Sequence, residues 1–265
     1  MEIYRQTSND KNVFFLPIRS HMKGVNHRGY NTVAPENTMP AYKLSVQKGF
    51  RYVETDISFT SDNVPVLLHD ATIDRTSNGT GSISSMTLAQ ARTYDFGAWK
   101  AAEYAGTKIP TLEEFLIFCR NSGLHPYLEL KDNGDYTQSQ IRMVVDMVHQ
   151  LGLTGNVTYI SFSNNYLDWV KEYDPFARLG YVVGAITQTQ VNKAIALRSE
   201  YNEVFIDNKT CTAEEIALCK ANGIPLEMWT ISTKAAILAL DDYVSGVTSN
   251  SANAEFVKFE QSMEE

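Results

Sequence analysis

Cysteine is scarce in this chain of 265 residues, which contains only Cys119, Cys211 and Cys219. No two of them form a CxxC pair, and an odd number leaves at least one thiol unpaired. The sequence therefore indicates neither a disulfide framework nor a zinc site. Cys119 and Cys219 fall in predicted helices, where we expect them to be small buried apolar residues.

Positive charge is also in short supply. Lys and Arg number 23 against 31 Asp and Glu, which gives a formal net charge of −8. This balance argues against nucleic-acid binding, because a nucleic-acid partner requires a basic face. We therefore expect no nucleic-acid partner, and an anionic substrate would need positive charge concentrated at its own site.

Long apolar runs and Ser/Pro-rich linkers are absent as well. The apolar run VFFLPI within residues 1–24 is too short for a signal peptide or a membrane span. We expect a soluble protein without stable membrane insertion, cytoplasmic if the chain is complete and secreted or at the cell surface if a leader or upstream domain has been removed. We predict one domain over residues 25–265, preceded by an arm of unknown role over residues 1–24, and the sequence leaves the oligomeric state open.

What the sequence does contain is an alternation of short apolar strands and longer amphipathic segments. The strands are predicted near residues 25–29, 52–59, 125–131, 156–162, 178–184, 203–208, 225–231 and 245–249. Eight such units predict an α/β fold, the (β/α)₈ TIM barrel. Asn37 or Thr38 is expected to cap the first helix, with Pro40 in its first turn and Gly49 at its end.

One segment departs from this alternation. Residues 71–110 include the turn-rich TSNGTGSISSMT and then show no strong strand period. A connection of this length exceeds a usual barrel loop, so we predict an insertion after the second strand that caps the barrel mouth. Its aromatic residues either contact a substrate alcohol or pack within the cap, and packing is favoured for each of them: Tyr94, Phe96, Trp99 and Tyr104.

Acidic side chains project from one face of two predicted strands. Residues two apart in a strand share a face, so Glu54 and Asp56 of YVETDIS point the same way, and Glu129 of HPYLELK repeats the design. Carboxylates held this close repel each other unless a cation compensates them, and oxygen ligands favour Mg²⁺ or Ca²⁺. A single such pair is more often solvent-facing, but the third carboxylate strengthens the prediction of one divalent cation. Lys131 shares the face of Glu129 and either touches anionic substrate oxygens or forms a surface salt bridge.

Two histidines lie in charged neighbourhoods. His27 stands in GVNHRGY beside Arg28, whose planar guanidinium suits phosphate oxygens, and Gly29, which we expect to let the backbone approach a ligand. His69 ends the apolar run of VPVLLHD. Because histidine titrates near neutral pH, such a pair could act in turn as base and acid on a phosphodiester. The other histidines are interpreted as structural or surface residues: His21, His125 and His149.

Several separated motifs follow one another in a specific order. They read NHRGY, APENTMPAY, FRYVETDIS and DNVPVLLHD between Asn26 and Asp70, then PTLEEFL at 110–116, YLELK at 127–131 and MWTIS at 228–232. In this order and spacing they closely resemble the glycerophosphodiester phosphodiesterase family, over about residues 25–250. One departure is GVTSN at 246–250, where relatives often show T-D-R-P, and it bears on loop closure and substrate preference.

The resemblance implies a role for each matching position. It implies that His27 and His69 are the catalytic pair, that Arg28 and Lys131 contact phosphate, and that the metal-binding carboxylates are Glu54, Asp56 and Glu129. Trp229 matches an aromatic on the glycerol or head-group side. Strand parity also sends Trp229 opposite to Met228 and into the barrel mouth, with packing under a helix as the competing interpretation.

The activity that the resemblance implies is metal-dependent hydrolysis of a small-molecule glycerophosphodiester to sn-glycerol 3-phosphate and an alcohol. It also suggests that a neighbouring glycerol hydroxyl attacks phosphorus to give a cyclic phosphate, which water then opens. Two alternatives stay open: a phospholipid-directed phosphodiesterase of the same barrel type, and a noncatalytic binding module. The sequence does not say which histidine is the base.

Overall fold

The structure is a computed structural model that describes residues 22–131 and 136–250. Its nine strands are β1 (Lys23–Asn26), β2 (Tyr52–Phe59), β3 (Pro65–Leu67), β4 (His125–Leu130), β5 (Thr158–Ser161), β6 (Arg178–Val183), β7 (Val204–Asn208), β8 (Leu226–Met228) and β9 (Val244–Ser249). All except β3 are parallel, and β1 pairs with both β2 and β9, which closes an eight-stranded barrel. The predicted TIM barrel is confirmed. The arm proposed over residues 1–24 falls, up to residue 21, outside the described residues.

Helices connect the barrel strands. They are α1 (Met39–Gln47), α2 (Leu88–Ala91), α3 (Leu112–Ser122), α4 (Gln138–Gln150), α5 (Asn164–Tyr173), α6 (Gln188–Leu197), α7 (Ala213–Ala221) and α8 (Lys234–Leu238). Capping boxes start several of them: in α3, Thr111 Oγ1 accepts from Glu114 N while the Glu114 side chain accepts from Thr111 N. Across residues 22–131 and 136–250, none of the helices combines the length and the apolar character that a membrane crossing needs.

The first helix begins and ends near the predicted residues. Thr38 occupies the N-cap position and Pro40 lies in the first turn, but the Thr38 hydroxyl donates to the Pro35 carbonyl instead of capping the helix. Gly49 follows the helix with φ +82°. Asn37, the other candidate cap, is buried and turned toward the barrel, where it serves a different purpose described below.

Strand parity separates two apolar layers. Tyr127 of β4 packs inside the barrel with Val25, Ile160 and Phe205, whereas Leu128 packs outside, beneath the helices. The outer layer is the larger and holds Cys119 of α3 and Cys219 of α7, both fully buried. All three cysteines of the chain are unpaired, which agrees with the absence of a disulfide framework. The polar side chains that face the inside of the barrel lie toward the strand ends, next to this inner apolar layer.

The segment after β2 differs from the prediction in one respect. The apolar run before His69 forms β3, an antiparallel neighbour of β2 that was not predicted as a strand. Beyond it, residues up to Ile109 enclose a separate apolar cluster that includes Val66, Ile73, Phe96 and Ile109. Phe96 is therefore packed within this segment, while Trp99 is 39% exposed. The segment has its own small core and joins the barrel through β3.

Candidate active site

Three carboxylates meet at the carboxyl ends of neighbouring strands. β2 carries Glu54 and Asp56, β4 carries Glu129, and Asp56 is directly paired in register with Glu129. One oxygen from each of these carboxylates lies within 4.8 Å of the others. All three side chains are buried. Because the carboxyl ends of the strands form the active-site face of a TIM barrel, the cluster lies where catalysis is expected.

The electrostatics of the three carboxylates favour a cation. Burial, followed by repulsion from Asp56, raises the pKa of Glu54 well above its usual value and that of Glu129 to about 7. Burial acts in the same direction on Asp56, but Arg28 and Lys131 outweigh it and hold the Asp56 pKa well below its usual range. The cluster therefore cannot carry its full negative charge at neutral pH without further positive charge.

Two oxygens in the cluster lack hydrogen bonds. Among the described residues no donor bonds to Glu54 Oε1 or Asp56 Oδ1, although both atoms are buried, and Asp56 Oδ1 lies 3.5 Å from Lys131 Nζ. A buried carboxylate oxygen that receives no hydrogen bond costs free energy unless a cation lies against it. The candidate ligand atoms in this cluster are all carboxylate oxygens, which suit a divalent metal ion, and two of them receive no hydrogen bond. The three carboxylates can therefore hold one such ion.

Arg28 brings positive charge into direct contact with the cluster. Its Nε lies 3.1 Å from Asp56 Oδ2, and its backbone N–H donates to Glu54 Oε2 over 2.9 Å. The predicted strand over residues 25–29 ends at Asn26, because Arg28 and Gly29 have φ of +54° and +75°. Packing gives one reason for glycine at this position: a Cβ on Gly29 would lie 2.7 Å from Ala41 Cβ in α1. This turn holds Arg28 in contact with Asp56 and Glu54.

Lys131 supplies the second cation. Its Nζ donates to Glu129 Oε1 over 2.9 Å, and the residue is only 7% exposed. The ion pair with Glu129 therefore exists, but it is buried within the carboxylate cluster and is not the surface salt bridge that the sequence left open. Both cations, like the three carboxylates, face the barrel mouth.

Each candidate catalytic histidine has its Nδ1 held by an oxygen. His27 Nδ1 lies 2.6 Å from Asn250 Oδ1, and its Nε2 lies 3.9 Å from Glu54 Oε2. Burial, followed by the charge of Arg28, lowers the pKa of His27 to about 4. His69 Nδ1 lies 2.6 Å from Asp70 Oδ1, and the His69 side chain is about one-third exposed. In each ring these 2.6 Å contacts engage Nδ1 and not Nε2.

Trp229 follows β8, which ends at Met228 and is shorter than the predicted strand over residues 225–231. The neighbouring strand β7 ends at Asn208, whose carbonyl accepts from Trp229 N, so the β7–β8 pairing does not continue beyond this point. The indole packs edge-to-face on Phe162 with ring centroids 5.6 Å apart, next to the inner apolar layer. Trp229 thus lies inside the barrel mouth and not beneath a helix.

Several polar residues around the site were missed by the sequence analysis. Asn37 donates to Asp56 Oδ2 over 2.7 Å, so this residue orients a carboxylate instead of capping a helix. Asn31 donates to the His27 carbonyl over 2.9 Å and to Asn250 Oδ1 over 3.0 Å. Asn250 belongs to GVTSN, so the departure from the family pattern was a signal that this residue has a local function.

Comparison with known proteins agrees with this geometry. The sequence model of the glycerophosphoryl diester phosphodiesterase family matches residues 27–254. The chain is 29% identical over 210 residues to a glycerophosphodiester phosphodiesterase of Caldanaerobacter subterraneus, covering 78% of this chain and 85% of the relative. It is 28% identical over 244 residues to a Bacillus subtilis glycerophosphodiester phosphodiesterase, covering 85% of this chain and 82% of the relative.

Solved structures give the same result. A glycerophosphodiester phosphodiesterase from Agrobacterium tumefaciens superposes with a TM-score of 0.72 at 26% identity, covering 89% of this chain and 99% of the other. An Oleispira antarctica phosphodiesterase in complex with the product sn-glycerol-3-phosphate superposes with a TM-score of 0.75 at 25% identity, covering 92% and 97%. Because the family match spans most of the chain and the barrel fold agrees, this chain is an enzyme that belongs to the glycerophosphoryl diester phosphodiesterase family.

Proposed function

We propose that this enzyme uses one divalent cation, Ca²⁺ or Mg²⁺, to hydrolyse glycerophosphodiesters to sn-glycerol 3-phosphate and an alcohol. The observation that carries the proposal is the buried cluster of Glu54, Asp56 and Glu129, with two orphaned oxygens and two cations against it. The Oleispira antarctica neighbour, which holds sn-glycerol-3-phosphate as its product, supports the same choice of product.

The charges of the site suit a phosphodiester when a cation is bound. With all three carboxylates ionised, Arg28 and Lys131 leave one negative charge uncompensated. A divalent ion held by Glu54, Asp56 and Glu129 reverses this to one positive charge, which matches the single negative charge of a phosphodiester. The ion would act as a Lewis acid that neutralises charge on a phosphate oxygen. Arg28 and Lys131 would bind the remaining oxygens and hold the substrate in place.

We assign the role of base to His27. Asn31 donates to Asn250 Oδ1, which fixes this amide oxygen as the partner of His27 Nδ1. His27 therefore carries its proton on Nδ1, and Nε2 keeps a lone pair toward the carboxylate cluster. Since burial lowers the His27 pKa to about 4, the ring is neutral at neutral pH and ready to accept a proton.

We assign the role of acid to His69. A hydrogen bond from Arg75 lowers the pKa of Asp70 to about 2, so Asp70 is ionised and His69 donates Nδ1–H to a carboxylate. An ionised carboxylate is the fitting partner for a histidine that gives up a proton from Nε2. Leu68 N donates to the Asp56 carbonyl over 3.0 Å, so His69 directly follows a residue bonded to the strand that carries Asp56.

The reaction then has two balanced steps. A glycerol hydroxyl of the substrate attacks phosphorus, His27 takes the hydroxyl proton, the bond from phosphorus to the alcohol breaks, and His69 protonates the leaving alkoxide. Water then attacks phosphorus of the cyclic phosphate, His69 takes the water proton, the bond from phosphorus to the glycerol oxygen that attacked first breaks, and His27 returns its proton to that oxygen. Both histidines finish in their starting forms, and the product is sn-glycerol 3-phosphate.

A panel of glycerophosphodiesters, assayed with and without EDTA, tests this function. We expect release of sn-glycerol 3-phosphate that stops on chelation and returns when Mg²⁺ or Ca²⁺ is added. The ranking of substrates in the panel identifies the preferred head group. Cleavage of intact phospholipids without cleavage of any glycerophosphodiester would overturn the proposal in favour of the phospholipid-directed alternative.

We propose that Trp229 shapes the pocket on the glycerol or leaving-group side. Trp229→Ala is expected to raise KM or to change the head-group ranking with only a modest loss of stability, because the indole lines the mouth instead of filling the outer core. Trp169→Ala is the matched control, since Trp169 packs against the outer layer. Loss of a packed core tryptophan costs about 3–5 kcal/mol of stability. If Trp229→Ala melts far earlier but keeps its KM and ranking, Trp229 is a packing residue.

A further inference from the structure

Arg75 lies in the segment after β3 and holds two carboxylates at once. Its Nε donates to Asp70 Oδ2 over 2.6 Å, and its two terminal nitrogens donate to Glu36 Oε1 and Oε2 over 2.8 Å each. One terminal nitrogen also reaches Asp70 Oδ1 at 3.2 Å. Arginine alone among the side chains has a planar fork that can serve two carboxylates in this way.

The two carboxylates belong to different parts of the site. Asp70 bonds His69 Nδ1, and Glu36 accepts from Arg28 Nη1 over 2.9 Å. Arg28 in turn contacts Asp56 of the carboxylate cluster. A continuous series of charged hydrogen bonds therefore runs from His69 through Arg75 to the residues that hold the cluster. The His69 side chain is about one-third exposed, and its Nδ1 is held by Asp70.

We propose that Arg75 is a positioning residue for the acid step. Arg75 fixes Asp70 against the loop that carries Glu36 and Arg28, and Asp70 in turn holds the His69 ring with Nε2 toward the leaving alcohol. The inference rests on the proposed function, in which His69 is the acid. The general principle is that residues bonded to a catalytic group, without touching substrate, commonly change activity about 10–100-fold.

The solvent exposure of the Arg75 side chain bears on how much it contributes to stability, as distinct from catalysis. The Arg75 side chain is 45% exposed, and exposed ion pairs contribute little to the free energy of unfolding. Because Glu36 is only 13% exposed and would lose a bidentate partner, Arg75→Met should fold with a modest loss of stability, which thermal melting measures separately from the rate of catalysis. The matched control is Arg92→Met, because Arg92 also pairs with a carboxylate, Glu114, at 2.6 Å and has a side chain 35% exposed. Arg92 lies in the same segment but touches neither histidine.

The leaving group provides the decisive readout. A substrate with an alkyl alcohol leaving group needs a proton from His69, whereas p-nitrophenolate departs without one. In single-turnover release of the leaving group, we expect Arg75→Met to slow glycerophosphodiesters with alkyl leaving groups about 10–100-fold, with substrate affinity little changed, and to leave release from a p-nitrophenyl ester nearly unchanged. Opening of the cyclic phosphate, in which His69 is the base, should slow for both substrates. Arg75→Lys keeps the charge but not the fork and should recover only part of the loss. Arg92→Met should leave both substrates unaffected.

A double-mutant cycle with His69→Ala distinguishes the two proposals. If His69→Ala itself shows no leaving-group dependence, the assignment of His69 as the acid fails. If His69→Ala shows it and Arg75→Met does not, only the role of Arg75 is overturned. When both show it, the Arg75→Met change should cost little more in the His69→Ala background, because residues that act through one another are not additive. An equal cost in both backgrounds would also overturn the proposal.

Discussion

Replacing Glu54 by glutamine or Asp56 by alanine is expected to abolish metal retention and activity together. Each change removes one carboxylate from the candidate ligand set, in which Glu54 Oε1 and Asp56 Oδ1 have no hydrogen-bond donor among the described residues. A Lewis acid contributes several kcal/mol to stabilising the transition state, so activity should fall on the order of 10³-fold or more. The two readouts are metal content by elemental analysis after gel filtration and the rate of sn-glycerol 3-phosphate release.

The choice of variants guards against a trivial loss of folding. Removing Asp56 leaves Arg28 and Lys131 buried without their shared partner, and this destabilises a protein independently of any metal. Glu54→Gln keeps an oxygen that can accept from Arg28 N and is therefore the cleaner variant. Glu227→Gln is the control, because Glu227 is a buried barrel carboxylate paired with Arg178. Full activity after exhaustive chelation, with no metal detected, would contradict the site.

Each alanine variant of His27 and His69 is expected to lose activity on the order of 10²–10⁴-fold while retaining its metal. The cluster should keep its ion because neither histidine is among the grouped carboxylates. In the first step, His27→Ala should slow esters of every leaving group, since all need the attacking hydroxyl deprotonated, whereas His69→Ala should mainly slow esters of alkyl alcohols. Opening of the cyclic phosphate should slow in both variants. His149→Gln serves as control, because His149 lies near the end of α4 and pairs with Asp174, away from the mouth. Near-normal turnover in both single variants would contradict the assignment of His27 and His69 as base and acid.

The pH profile follows from the same pair. Activity should rise as His27 loses its proton and fall as the acid loses its own, which gives a bell whose limbs belong to the coupled pair. Because burial lowers the His27 pKa to about 4 from an ordinary 6.5, the acidic limb should lie below that of an ordinary histidine. A profile of kcat/KM against pH for the metal-loaded enzyme measures both limbs. An acidic limb at 6.5 or above would contradict His27 as the buried base.

Much of the site was predictable because strand parity is a local property. The alternation in β2 and β4 was sufficient to predict that Glu54, Asp56 and Glu129 face one way, and the register between Asp56 and Glu129 then brings them together. The barrel followed from the repeated alternation of strands and helices. Residue types alone identified the histidines only as candidates, and the family resemblance was needed to pair them.

Other features depend on contacts that sequence spacing does not specify. The need for glycine at residue 29 arises from the closeness of Ala41 in α1, which is known only once the helix has packed. The Arg75 fork reaches Glu36, which lies 39 residues before Arg75 in the chain, and joins it to Asp70. Asn37 looked like a helix cap because its type and position allow that, yet tertiary contact with Asp56 decides its role.

The carboxylate cluster and the contact that orients His27 are formed by different strand pairings of the barrel. Glu54, Asp56 and Glu129 come from β2 and β4, adjacent strands in the sheet, so the cation site needs only that local pairing. His27 instead depends on Asn250, 223 residues away, which reaches it only because β9 closes against β1. A chain with its last strand undocked would keep the cation ligands but lack an oriented base. Turnover should therefore depend on the pairing of β9 with β1, whereas metal affinity should depend on the pairing of β2 with β4.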